Sequence, residues 1–415
     1  MGVVLSRERH GTNLDLWPPL PISICFGYLE DEDDVIAALA HPDRIFEINL
    51  PISHSLLEKS NAWVESFPIL ERLSLISPDR NYPVLPNGFL GGTALASRRL
   101  RRIELQRVHV PTLPQLLLSS QSLNRLYLGN GVISDEGYIS PAVLTAALSA
   151  VARLEFLHVY LPSKIFHEEG STDSVLSPPK LVVLPALIHL ELLLRGSDEY
   201  LEDLVSRIHA PRLETICVNV SQEYARPMDI PQLSKFIRRT DCLSLLPFHT
   251  SIILEKSRFK VSHEFGIRGH ICFELTCDSE SEFLEVSQVV HVVHICKRLF
   301  PLISDVERVS IEVNIPPQNP IILPVEREID RWLQLFPLFD GAQELELCSG
   351  YMLFKPHESP NSKMGQEMFP ALRVLRLSCG FDPRVPQIIK SFVAERELSG
   401  RPVIMLRTCR RLERR

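Results

Sequence analysis

The stretch from Leu184 to Val220 constrains the fold more than any other part of the chain. It runs LPALIHLELLL, then DEYLEDLVSRI and, after one histidine, APRLETICVNV. Two copies of the spacing Leu-x-x-Leu-x-Leu, Leu187/Leu190/Leu192 and Leu213/Ile216/Val218, flank one helical pattern. In that pattern Leu201, Leu204, Val205 and Ile208 fall at i, i+3, i+4 and i+7, so they share a face. The spacing predicts a helix over Asp198–Ile208 with Asp198 as its N-cap. Each strand carries one apolar row and the helix one apolar stripe, and neither buries that side alone. A neighbouring strand–helix unit laid alongside buries both, which is the logic of a solenoid.

The same anchor recurs at Leu70, Leu100, Leu123, Leu154, Leu187 and Leu213. Spacings run from 23 residues (Leu100 to Leu123) to 33 (Leu154 to Leu187). Leucine-rich repeats span roughly 20–29 residues, so this array is longer and less regular. Pro68, Pro185, Pro211 and Pro370 each stand two residues before an anchor, where a ring without an N–H stops a helix and sets up an extended entry. In the common repeat an Asn or Cys, with two residues between it and the third apolar position, ties the coils together. Here those places hold Pro78, Val108, Gly131, Pro162, Arg195, Ser221 and Gly380, so apolar packing and strand hydrogen bonds are expected to do that work.

Further helices are predicted at Asp34–Ala40, Ser53–Ser66, Thr112–Ser119, Ser140–Arg153, Gln232–Arg239, Glu282–Leu299, Val325–Phe336 and Gln387–Leu398. Further strands are predicted at Arg44–Leu50, Ile252–Leu254, Ile271–Cys277, Val306–Val313, Ala342–Leu347, Leu372–Leu377 and Pro402–Leu406. Ser140-Pro141 is a strong helix start, a hydroxyl cap followed by a first-turn proline. The domain reading is an N-terminal segment over 1–32, an irregular repeat array over 33–406 and a basic tail over 407–415, with no Gly/Ser linker long enough to divide it.

A net charge of −7 over 415 residues argues against a nucleic-acid coat or an anionic membrane as partner. Nine cysteines without paired spacing suit a reduced, intracellular protein, cytoplasmic or nuclear. Met1 to Trp17 has no apolar core of signal-peptide length. The most apolar run, Leu181 to Leu194, contains a Pro, a His and a Glu and is too short to span a bilayer.

Chemical motifs are sparse. His291 and His294 stand three apart on a predicted helix near Cys296, without the third ligand or glutamate base of a zinc site. Cys272 and Cys277 are five apart on a predicted strand and face opposite sides. Gly88-Phe89-Leu90-Gly91-Gly92 reads as a turn, because no Lys-Ser/Thr follows it. No nucleophile elbow occurs. No metal, cofactor or catalytic set is assigned. The run Arg407–Arg415 reads as a charged, solvated terminus.

The exposed face of the strands carries the functional expectation. Residues between anchors point away from the core. They give Arg72, Arg102, Arg125 and Phe156 in one row, Ser74, Glu104, Tyr127, His158 and Glu191 in the next, and Tyr160 beyond. Arginines beside aromatics are the residue types that dominate binding hot spots.

Several strings carry a family likeness: DDVIAALAHPDRIFEINL, FPILERLSLIS, VLPNGFLGGTA, GYISPAVLTAALSAVARLEFL, EYLEDLVSRIHAPRLETI, PQLSKFIRR and SFVAERELSGRPV. From about Leu16 onward the chain resembles the leucine-rich region that follows the F-box in a large group of fungal F-box-like proteins. The resemblance implies an α/β leucine-rich-repeat solenoid with a curved parallel sheet and outer helices or loops. It implies the substrate-binding region of a ubiquitin-ligase receptor that holds a target protein. A Skp1-type adaptor would be a partner only through an F-box. None is evident here: Leu20-Pro21-Ile22 imitates its opening, but Pro42 and the strand at Ile45–Leu50 come too soon for three helices. The expectation is a monomeric, non-catalytic recognition module. The alternatives are a repeat scaffold with no ubiquitin link and, from another class, an uncharacterised enzyme.

Overall fold

The computed structural model describes residues 3–4, 20–25, 32–59, 61–79, 82–91, 99–133, 138–162, 181–195, 198–221, 230–243, 249–255, 258–265, 269–276, 306–314, 339–348, 369–378 and 385–408. They form an α/β protein with a large, mostly parallel sheet that does not close into a barrel. The chain divides into two compact units, Met1–Leu213 and Glu214–Arg415.

In the first unit the strands are β1 (Val3–Val4), β2 (Ile22–Cys25), β3 (Ile45–Pro51), β4 (Arg72–Ile76), β5 (Arg102–Gln106), β6 (Arg125–Leu128), β7 (Phe156–Leu161) and β9 (His189–Leu194). They lie side by side in that order. Every described pairing among them is parallel. Two short strands, β8 (Val182–Val183) and β10 (Ile208–His209), pair parallel with each other apart from this sheet. Helices α1 (Glu32–Leu39), α2 (His54–Lys59), α3 (Leu113–Ser119), α4 (Pro141–Leu148) and α5 (Asp198–Ser206) fall between strands. α3 lies against α4, and α4 against α5.

The leucine triplets are the core. Leu70/Leu73/Leu75, Leu100/Ile103/Leu105, Leu123/Leu126/Leu128, Leu154/Leu157/Val159 and Leu187/Leu190/Leu192 are all buried. One backbone device delivers each first anchor. The anchor N–H donates to the carbonyl three residues back, as in Leu70 to Phe67, Leu123 to Ser120, Leu154 to Val151 and Leu187 to Leu184. Pro68 and Pro185 occupy the second position of that turn, where their fixed φ fits. The prolines therefore stabilise a turn instead of an extended entry. A second device ties neighbours where coil-linking side chains were not expected. The residue just before a strand offers its carbonyl to two N–H groups of the next coil: Arg101 to Asn124 and Arg125, Asn124 to Glu155 and Phe156, Glu155 to Ile188 and His189.

The second unit repeats these devices. Its strands are β11 (Thr215–Ser221), β12 (His249–Glu255), β13 (Arg258–Phe265), β14 (Gly269–Thr276), β15 (Arg308–Asn314), β16 (Glu344–Cys348), β17 (Val374–Ser378) and β18 (Ile404–Thr408), with helices α6 (Pro231–Arg238) and α7 (Val385–Leu398). Ala342 and Leu372 end the same turn, and Glu307 and Gln343 make the same double acceptance. The parallel reading needs one correction here. β13 pairs antiparallel with both β12 and β14, while β11–β14 and β12–β15 remain parallel. Two residues separate β12 from β13 and three separate β13 from β14, too few for the dozen or so a parallel crossover needs.

Elements differ locally from expectation. Instead of one helix over Ser53–Ser66, α2 ends at Lys59 and a 3-10 turn covers Asn61–Val64, with Trp63 fully buried 6.1 Å from Phe89. α4 stops at Leu148, because the chain must turn at Val151 to deliver Leu154. Ser140 caps it, accepting from the Val143 N–H. Ile208 leaves the expected helix to pair with Val182. At Gly88–Gly91 the expected turn forms, with Gly88 at φ +88°. The expected helices at Glu282–Leu299 and Val325–Phe336, and His291, His294, Cys296 and Cys277, lie outside the described residues.

Candidate functional site

All ten residues read from strand alternation stand on one face of the first unit's sheet. Register, which sequence spacing alone suggests, places them in rows across the strands. Arg72, Arg102, Arg125, Phe156 and His189 are successive partners, with Glu47 before them. Asn49, Ser74, Glu104, Tyr127, His158 and Glu191 form the second row. Tyr160 faces Leu193 in the third. Parallel strands lie about 4.8 Å apart, so side chains in a row touch.

The aromatics stack like pages. The Tyr127 and His158 rings are 3.8 Å apart and 10° from parallel. Phe156 and His189 are 4.4 Å apart and 4° from parallel. The Arg195 guanidinium sits 5.4 Å from the Tyr160 ring centre. Cations mark the other end of the strip. Arg102 donates to Glu104 at 2.9 Å, Gln106 to the other oxygen of Glu104 at 3.2 Å, and Arg72 stands 3.6 Å from Glu47.

At the centre of the second row His158 Nδ1 lies 3.0 Å from the Glu191 carboxylate, with His189 Nε2 at 3.9 Å. The two histidines hold the Glu191 carboxyl far below the usual carboxylate range, against an opposing contribution from burial. The short contact assigns a proton to Nδ1 of His158. Its Nε2 is enclosed and has no hydrogen bond among the described residues. Burial, then the charges of Glu104 and Glu191, push the Tyr127 phenol above its usual range.

A carboxylate–imidazole pair is also the base-and-orienter arrangement of hydrolases. Here the outward nitrogen is closed off, and among the described residues no hydroxyl or thiol is hydrogen-bonded to it. The pair fixes the ring that Tyr127 stacks on. What the strip presents is part-exposed aromatic edges beside exposed guanidiniums. Among the described residues no group of three or more His, Cys, Asp or Glu could hold a metal ion. Cys25, Cys217, Cys272 and Cys348 form no disulfide. No described helix is long and apolar enough to cross a membrane.

Sequence reading missed two contributors. Glu47 was legible by extending the outward alternation one strand back, through Glu47 and Asn49 on β3. Arg195 follows β9, where strand alternation has already ended, and only the folded position of Tyr160 reveals it. The chain matches no model of a known protein family, and no curated protein matches it.

Proposed function

We propose that this protein is a recognition module, a leucine-rich-repeat-like solenoid whose outward sheet face in the first unit holds a target protein. We propose further that it is the substrate-binding region of an F-box-like ubiquitin-ligase receptor. In that role it acts by holding a target near chemistry performed by other subunits. One observation carries the recognition reading: arginines and aromatics from five successive strands stand in register on one face, with their rings already stacked. A surface so ordered loses little side-chain freedom when a partner covers it. The turn-and-double-acceptance device, recurring in both units, supports the repeat reading.

A second reading, a repeat scaffold with no ubiquitin link, is favoured by the fold of Leu20–Ala40. The residues that imitate an F-box opening lie at and beside β2, which pairs with β3, and among the described residues α1 is the α-helix that follows before β3. The test of recognition is Arg102→Ala with Tyr127→Ala. Circular dichroism is expected to stay unchanged while capture of co-purifying partners from cells falls about thirtyfold or more, since one hot-spot truncation already costs about 2 kcal/mol. Unchanged capture rejects the strip. Adding purified Skp1-type adaptor to the chain, with and without an F-box fused upstream, separates receptor from scaffold.

A further inference from the structure

The cationic end of the strip is richer than its row. Arg99, Arg101, Arg102 and Arg125 are all exposed at the entries to β5 and β6, and Arg72 enters β4. Arg102 has Glu104 and Arg72 has Glu47, but these are surface pairs with side chains 51% and 60% exposed on the arginine side. Such pairs contribute little and exchange readily for another carboxylate. Among the described residues no ion pair or hydrogen bond engages the Arg99, Arg101 or Arg125 guanidiniums. Glu71 is the remaining carboxylate at these entries. On a chain of net charge −7 this is a local excess of positive charge. Next to it, on β6 and β7, stand the part-exposed rings of Tyr127 and Phe156.

We propose that this end of the strip takes an extended acidic segment of a partner protein. The carboxylates of that segment set on Arg101, Arg102 and Arg125, and one apolar or aromatic side chain lies against Tyr127 and Phe156. The proposal rests on the recognition reading above and names the chemistry of the target. From β4 to β9 the strip is about 19 Å wide, which an extended chain of roughly six residues crosses. Charge complementarity selects the occupant. A single-stranded nucleic acid also likes arginine beside stacked rings. A peptide can confine its carboxylates to the β4–β6 end and lay an apolar side chain over the rings, whereas a nucleic acid carries a phosphate at every nucleotide and would bring them against Glu104 and Glu191 in the middle row and Glu155 at the entry to β7.

The test uses the full chain and three fluorescein-labelled probes: a roughly eight-residue peptide of glutamates around one phenylalanine, its glutamine counterpart, and a single-stranded oligouridylate of similar span. By anisotropy the glutamate peptide is expected to bind, and the glutamine peptide to bind about tenfold or more weakly. Added salt weakens the glutamate complex. Arg101→Glu with Arg125→Glu removes about tenfold or more, whereas Lys235→Glu on α6, the same kind of charge change, leaves affinity unchanged. Equal binding of the two peptides, no binding of the acidic one, indifference to the double reversal with thermal midpoint retained, or tighter binding of the RNA overturns the proposal. If the acidic peptide fails while Arg102→Ala with Tyr127→Ala still abolishes partner capture, recognition stands and only the acidic chemistry falls. If neither responds, the strip itself is wrong.

Discussion

Two buried histidines, His158 in the first unit and His263 in the second, are held in opposite ways. In the first, His158 belongs to the outward row and is buried by ring stacking, with a carboxylate at 3.0 Å to receive its proton. In the second, His263 on β13 stands in the core-facing row between Ile271 and Thr250, fully buried. Its Nδ1 is 2.8 Å from the Thr250 hydroxyl. Burial, then the nearby His270 and His249, push the His263 imidazole down to about 3. A histidine on the polar face is thus held against a carboxylate, while one in the core is kept neutral by burial and has a hydroxyl beside its Nδ1.

The largest expected effect is an ordered acid response. Below the ordinary histidine value of 6.5 the unfolded chain binds a proton at position 263 that the folded core refuses until about pH 3. More protons on the unfolded state means stability falls as pH drops from about 6.5 toward 3. For a fully buried group this is on the order of 2–5 kcal/mol. Among the described residues of the first unit the carboxyls held below their ordinary values are those of Glu32 and Glu191, so their contribution is lost only as pH falls below about 4.5. Amide exchange at stepwise lower pH should therefore strip protection from β12–β15 before β5–β7. His263→Leu with Thr250→Val, which removes both polar groups together, should flatten the response of the second unit. Earlier loss in β5–β7, or an unchanged profile in the double variant, breaks the contrast.

A smaller effect sharpens the other half of the comparison. Glu191 is part-exposed, so solvent screens its pairing and the stabilisation is about 1 kcal/mol or less. Its folded carboxyl is depressed, so the contribution is present above about pH 4.5 and disappears as pH falls through and below that value. Glu191→Gln should lower the first unit's midpoint slightly at pH 7 and by less near pH 3, where part of the contribution has already gone. It should also change the His158 ring signals by NMR, since the group that receives the Nδ1 proton is weakened. A midpoint drop of equal size at both pH values would make Glu191 a packing residue.

The contrast also explains what was legible beforehand. Triplets such as Leu123/Leu126/Leu128 announce themselves because a row of buried leucines requires that spacing, and outward neighbours then follow from strand alternation. This placed all ten strip residues on one face. β13 was missed because His263 occupies a slot where other strands have Leu or Ile, which hides the inward row. Ile208 was read into α5 because it fits the helical stripe, and the bond pattern opposite Val182 overrides that preference. The His158–Glu191 contact needed the register of strands 33 residues apart (158 to 191), and no local pattern states which imidazole nitrogen meets a carboxylate.

The smallest prediction concerns what the units share. Pro185 in the first and Pro370 in the second occupy the same turn position, between Leu184 and Leu187 and between Phe369 and Leu372. Each ring acts mainly by restricting the unfolded chain, so its value depends on the turn and not on the surrounding sheet. Pro185→Ala and Pro370→Ala are each expected to cost about 0.5 kcal/mol, read from urea midpoints followed by exchange in β9 and in β17. Equal small losses would make the turn one interchangeable part of both units, despite their different treatment of histidine. A loss at Pro370 several times that at Pro185 would show that the left-handed Phe369, at φ 50°, makes the later turn a strained variant of the device.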